Sequence, residues 1–267
     1  MDAGLLVLCA LTFVIHLVGT LAYAVRIAGT RTRRIALSLS LFNILILLSR
    51  TSNSFQAPLL AKRVEEGLVA VPTTGAANDF RWLLATASVA TLAGALLIPT
   101  FQRLLSRWVE AVDQQRSPFR LLRRALSPGA IAHVRDAAVL PAWANIRGAR
   151  SGSHIPWSVV GLNTLAMAVW SVGVFSALYA GYLRPELRVT ASQLSAVVNG
   201  VATILMFAII DPYLSLMTDD VASGKVDEAY FRRSVMWLTG SRLAGTVLAQ
   251  ALLVPGAVCI AAVAGWI

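Results

Sequence analysis

Six apolar blocks recur along the chain, at about 3–25, 35–50, 82–101, 156–183, 189–210 and 243–267, and they restrict the fold more than any other feature. An apolar run of about 20 residues is what a helix needs to cross the hydrocarbon of a bilayer. Backbone N–H and C=O groups find no water there, so each such run must satisfy its hydrogen bonds internally as a helix; the strict alternation that a barrel strand would carry is absent. The composition agrees, with 57% hydrophobic and 13% charged residues. The expected architecture is therefore all-α: a polytopic integral membrane protein with six transmembrane helices in one transmembrane domain over 1–267. The first block follows Asp2 with no basic stretch before it, and reads as a span rather than a signal peptide.

Charge sets the orientation. The formal net charge is +10, but no helix-turn-helix, zinc or RNP pattern accompanies it, so no nucleic-acid partner is expected. The basic residues instead flank spans. Arg26, Arg31, Arg33 and Arg34 follow the first block directly, which by the positive-inside rule puts the amino terminus, and after six spans the carboxyl terminus, outside the cytoplasm. Residues 102–155 form the one sizeable polar segment, expected to be a cytoplasmic, basic, amphipathic-helical loop. Leu104, Leu105, Trp108 and Val109 keep helical spacing, Ser117 before Pro118 and Ser127 before Pro128 look like helix starts, and Arg120, Arg123 and Arg124 follow the first of these. Such a cluster attracts anionic phospholipids of the inner leaflet at about 1 kcal/mol per basic residue. Cys9 and Cys259 lie in apolar blocks far from any CxxC spacing and read as buried inert thiols; neither a metal site nor a cofactor is indicated.

Polar residues inside the blocks are the candidates for function. Residues 35–63 begin as a membrane helix, carry Asn43 in an apolar run, and put Arg50 where hydrocarbon should still be present; Asn53 and Gln56 follow at spacing three. Two readings stand: Arg50 snorkels to the headgroups, or it is a fixed cation at the outer mouth of a polar path. Phe55, Leu59, Leu60 and Val64 suit a short amphipathic helix at the outer surface, within a loop from Arg50 to Asp79. In the first block Thr12, His16, Thr20 and Tyr23 make one polar stripe facing other helices. Tyr179 and Tyr182 suit an interface belt, and Asp211 before Pro212 marks an expected helix break. Counted along each helix, His16, Thr91, Asn43, Asn163, Asn199 and Gln250 fall about 11 to 15 Å from the cytoplasmic boundary. Interhelical packing explains each singly, whereas together they suggest a polar midplane. Both halves order their loops short then long, and three spans per half would set them in opposite orientation, so an inverted 3+3 repeat is expected.

The run LTFVIHLVGTLAYAVRIAGTRTRRIALSLSLFNILILLSRTSNSFQAPLLAKRVE, with DPYLSLMTDD later, resembles the Amj family of bacterial lipid II flippases, the "alternate to MurJ" proteins. The resemblance implies a multi-pass protein of the bacterial cytoplasmic membrane. Its activity would be to move undecaprenyl-pyrophosphate-linked peptidoglycan precursor from the inner to the outer leaflet, as a transporter rather than an enzyme. The family supplies no residue assignments, so the path is inferred physically. Arg26, Arg34 and Arg242 would receive the headgroup at the inner face, His16, Asn43, Asn163, Asn199 and Gln250 would carry it, and Arg50, Asn53 and Gln56 would lie toward its release outside, with Asp211 at the end of its own span. His16, Asp211 and Asp219 are the proton-coupling candidates. Six helices are few around so large a headgroup, so an open lateral groove or a homodimer is expected. Two other readings stay open: a membrane enzyme acting on a polyprenyl or phospholipid phosphate, for which Asp219, Asp220, Asp227 and Glu228 come nearest to an acidic cluster, and a small-solute or ion secondary transporter.

Overall fold

The computed structural model describes residues 2–69, 76–115, 135–139, 141 and 155–267. These are helical throughout, without a strand, and six of their helical stretches are long and apolar enough to cross a membrane. In order they are α1 (Ala3–Thr32), α2 (Ile35–Val69), α3 (Ala76–Gln115), α4 (Trp157–Leu183), a 3-10 turn (Pro185–Leu187), α5 (Arg188–Leu205), a π turn (Met206–Ile210), α6 (Asp211–Ala222) and α7 (Glu228–Ala264); α5, the π turn and α6 make one span.

The helices run well past the apolar blocks. α2 does not end near Arg50 but continues to Val69, through Pro58. The expected surface helix is simply its last third: Leu60 and Val64 are buried in the core, while Phe55 and Leu59 face outward. Pro58 is exposed; it deprives the Ser54 carbonyl of its usual N–H partner, and the helix runs on through it. Asp211 and Pro212 do not break the fifth span either. Pro212 cannot donate to the carbonyl four residues back, and the chain absorbs the loss by widening to a π turn, in which the Asp211 N–H reaches Met206 O. The helix starts expected at Ser117 and Ser127, with Arg120, Arg123 and Arg124, lie outside the described residues. Of that segment, Val139 docks on α3, exchanging two hydrogen bonds of 3.0 Å with the Thr100 hydroxyl.

Both ends of the described chain lie on one face of the bundle. At α1's start Asp2 caps the Leu5 N–H and pairs with Arg63, which also pairs with Asp79 at the start of α3. Tyr182, at the end of α4, donates to Arg63 O, and Leu187 lies beside Gly265 at the end of α7. We call this the terminal face and the opposite one, bearing Arg26, Arg31, Arg33 and Arg34, the arginine face. Tyr182 is buried here against Phe80 and Tyr179 rather than standing in a lipid-facing belt.

Packing is closest within each half. α1 and α3 run parallel side by side, and α2 lies antiparallel on α1; α4 and α7 run parallel, and α5 lies antiparallel on α4. Glycines set these approaches: a Cβ at Gly94 would come within 2.7 Å of Thr20 Cβ, and one at Gly245 within 2.5 Å of Thr164 O. Between the halves contact is sparser, made chiefly by α3 against α7.

Candidate functional site

Where the halves meet at mid-depth, α1, α4 and α7 enclose a polar nest. Its centre is Arg242, fourteen residues into α7 and buried. The sequence expectation put this arginine at the inner surface, reading α7 from residue 243; because the helix begins at Glu228, Arg242 is about 21 Å along it instead. Gly19 makes the room: a Cβ there would run into the guanidinium. Nη1 of Arg242 donates to Met167 Sδ at 3.2 Å, and the Tyr23 hydroxyl stands beside the guanidinium. Tyr23 lies beside Asn163 in turn, whose amide donates to Leu238 O at 3.0 Å and Ser241 Oγ at 2.7 Å. His16 lies within electrostatic reach of Arg242 and sets its ring edge-on to Trp170 at 5.3 Å.

Two features separate this nest from ordinary interhelical glue. Among the described residues no carboxylate pairs with Arg242, and the buried Nε of Arg242 and Nδ1 of His16 have no hydrogen-bond partner. A buried cation is normally paired, and an arginine at the bilayer centre costs about 2.5–3.5 kcal/mol even on insertion scales. A thioether and a phenol are weak recompense. A guanidinium fork suits an anion with several acceptor oxygens.

The other candidates fall into three places. Gln56 is buried and donates to Thr12 Oγ1 at 2.6 Å, and Asn199 packs its amide oxygen against Gly173 without a hydrogen bond. Gln250 leaves the expected layer, because α7 has carried it toward the terminal face, where it donates to Arg81 O at 2.9 Å. Asn43, Arg50 and Asn53 are exposed on the outer side of α2 and so do not join His16 and Asn163 inside. The expected single polar layer is therefore split between a buried nest and a lipid-facing stripe, since helix rotation, which spacing along one helix does not fix, decides the face each side chain takes.

At the arginine face, ion pairs tie the halves together. Arg26 contacts Asp211 at 3.4 Å and Ser215 at 3.2 Å, and Arg31 contacts Glu228 at 2.6 Å. Beside them a cleft of about 680 Å³ is lined by Thr30, Arg31, Arg33, Gly224, Asp227 and Glu228 among others. A second, of about 440 Å³, runs from Arg33 to Leu37. Neither is lined by a residue of the nest. Arg34 and Asp219 are exposed at this face. Among the described residues no group of three His, Cys, Asp or Glu could hold a metal. Cys9 is half-buried, but Cys259 is exposed toward the lipid side, contrary to the buried thiol expected. Sequence reasoning missed Gly19, Met167, Trp170 and Ser241; the only signal was Gly19 lying between His16 and Tyr23 on the polar stripe.

Six membrane-crossing helices and an unneutralised polar interior make this a multi-pass membrane protein with the features of a transporter for anionic cargo. The family model described as Amj, Alternate to MurJ, matches residues 11–264. The curated relatives include a protein of Bacillus subtilis (strain 168) named "Lipid II flippase Amj", 36% identical over 264 residues, covering 98% of this chain and 97% of the relative. The chain belongs to the Amj family. No solved structure matches it.

Proposed function

We propose that this protein translocates lipid II from the inner to the outer leaflet of the bacterial cytoplasmic membrane, with the arginine face cytoplasmic, both termini outside, and no catalytic step. Its kinship with a flippase over nearly the whole chain supports the substrate. The observation that carries the mechanism is Arg242: a guanidinium at mid-depth, at the seam between two three-helix units, without a carboxylate paired to it among the described residues. A pyrophosphate offers the charge and acceptor oxygens that Arg242 lacks, and Asn163 and His16 stand beside it for further polar groups.

The two units would act as an inverted repeat, opening the nest to one face and then the other while the polyprenyl tail stays in lipid. Equivalent packing within the halves supports this reading: first helix parallel to third, second antiparallel on the first. In the conformation described, Arg26–Asp211 and Arg31–Glu228 hold the cytoplasmic side together. His16, Asp211 and Asp219 remain the coupling candidates, and Asp211 is the one engaged in such a bond. Arg26, Arg34 and the 102–155 segment would gather the headgroup and anionic phospholipids at the cytoplasmic surface.

The test is leaflet-resolved lipid II accessibility in cells that depend on this protein alone. Arg242→Gln, which removes the charge and leaves a shorter polar side chain, should lower outer-leaflet lipid II at least tenfold at unchanged membrane abundance. Transport at the unsubstituted rate would overturn the role of the nest.

A further inference from the structure

α2 presents an unusual face to lipid. Ser40, Asn43, Arg50, Asn53 and Ser54 are all exposed, off the stripe formed by Ser38, Phe42, Ser52, Gln56 and Leu60, which packs into the bundle, with Asn53 at its edge. Two cross-helix bonds fix their depth. Ser38 Oγ donates to Val25 O at 2.8 Å and Gln56 donates to Thr12 at 2.6 Å, so Arg50 stands level with the stretch of α1 that holds His16 and Gly19. It is about 22 Å from Ile35 and about 20 Å from Arg63 by helical rise, which is too deep to be accounted for by a span end. No ion pair holds it among the described residues.

Something must compensate a guanidinium in that position. A second copy would fit poorly: a dimer in one membrane has its axis along the normal, so two such faces would bring Arg50 against Arg50 at one height, like charges in a low dielectric. An anionic lipid headgroup fits on charge. It also fits at the ends of the stripe, where the cleft of about 440 Å³ from Arg33 to Leu37 opens at the cytoplasmic end, and Lys62, in a solvent-exposed ion pair with Glu66, lies toward the other. We propose that the outer face of α2 is a track on which phosphate headgroups of anionic phospholipids cross the bilayer, giving the protein a phospholipid-scrambling activity besides lipid II transport. The phosphate passes from the arginines of the cleft to Arg50 and on toward Lys62, with Asn43 and Asn53 offering donors between, while the acyl chains stay in the surrounding lipid.

The activity is independent of the seam and of lipid II, so failure of either proposal leaves the other standing. The experiment uses the full chain in vesicles of phosphatidylcholine and phosphatidylglycerol without lipid II, following dithionite bleaching of headgroup-labelled phosphatidylglycerol. Protein should bring the inner-leaflet label within reach of dithionite. Arg50→Leu should slow this crossing at least tenfold, Arg50→Lys should keep most of it, and Leu248→Ala, an outward apolar residue on α7, should change nothing. If Arg50→Leu folds poorly by gel filtration, the doubly substituted Asn43→Leu, Asn53→Leu protein replaces it, with the same slowing expected. Crossing at the unsubstituted rate in these variants, or no crossing above protein-free vesicles, overturns the proposal. So does a disulfide between copies through Asn53→Cys in a Cys9→Ser, Cys259→Ser background, which would make the face a self-association surface.

Discussion

At the scale of single residues, the nest separates fit from charge. Gly19 has no side chain because Arg242 occupies that space, whereas Gly245 has none because the α4 backbone does. Alanine at the two positions should therefore behave differently. Gly245→Ala pushes against Thr164 O and Met167 Cβ, neither of which can swing away, and overpacking of this kind costs about 1–3 kcal/mol; thermal unfolding in detergent should show the loss. Gly19→Ala meets the end of a long side chain, so it should displace the guanidinium and abolish lipid II transport while lowering thermal stability less. Asp2 gives a pH prediction outside the spans. Its hydrogen bonds from Arg63, then from the Leu5 N–H, hold its carboxyl down to about 2. A lowered folded-state value means that the stabilisation is complete above the ordinary carboxylate range and is lost as pH falls through about 2. Amide exchange at Leu5 should accordingly stay protected at pH 4 and open near pH 2, and Asp2→Asn should remove that step.

Helix by helix, the length of α2 and the π turn matter most. The sequence made Arg50 the end of a span because apolar residues thin out there; the helix continues because most of its polar residues after 50 face outward while Ser52, Gln56, Leu60 and Val64 keep the packing stripe. That continuation changes Arg50 from a residue at a mouth to one at mid-depth. The π turn at Met206–Ile210 amounts to one residue beyond a regular helix. Deleting Ala208, which is exposed within it, should close an ordinary α-helix with α6 still presenting Leu214 and Met217 to the core, leaving the purified protein as stable in thermal unfolding. Adding an alanine at the same place should rotate α6 by about 100°, burying its polar side, and destabilise the protein markedly.

Taken as a whole, the molecule is two three-helix units, each closely packed, meeting at a sparser seam that contains the nest and is tied at the arginine face by Arg26–Asp211 and Arg31–Glu228. If those bonds hold the seam shut, Arg31→Glu should make Ser241→Cys react several-fold faster with a water-soluble maleimide supplied from the side of the arginine face, and adding Glu228→Arg should restore protection. Unchanged labelling in the single variant would remove the bond from the gating scheme.

Much of this was legible without coordinates. Apolar run length dictates helices, because hydrocarbon leaves backbone groups no other partner; the stripe of Thr12, His16, Thr20 and Tyr23 already marked one face of α1. What sequence spacing leaves open is the rotation and register of one helix against another. Only tertiary packing could bring Arg242 of α7 against Gly19 of α1, carry Gln250 out of the midplane and turn Asn43 and Arg50 to the lipid, because those outcomes depend on which side chains fill which gaps across the seam rather than on any pattern within a single helix.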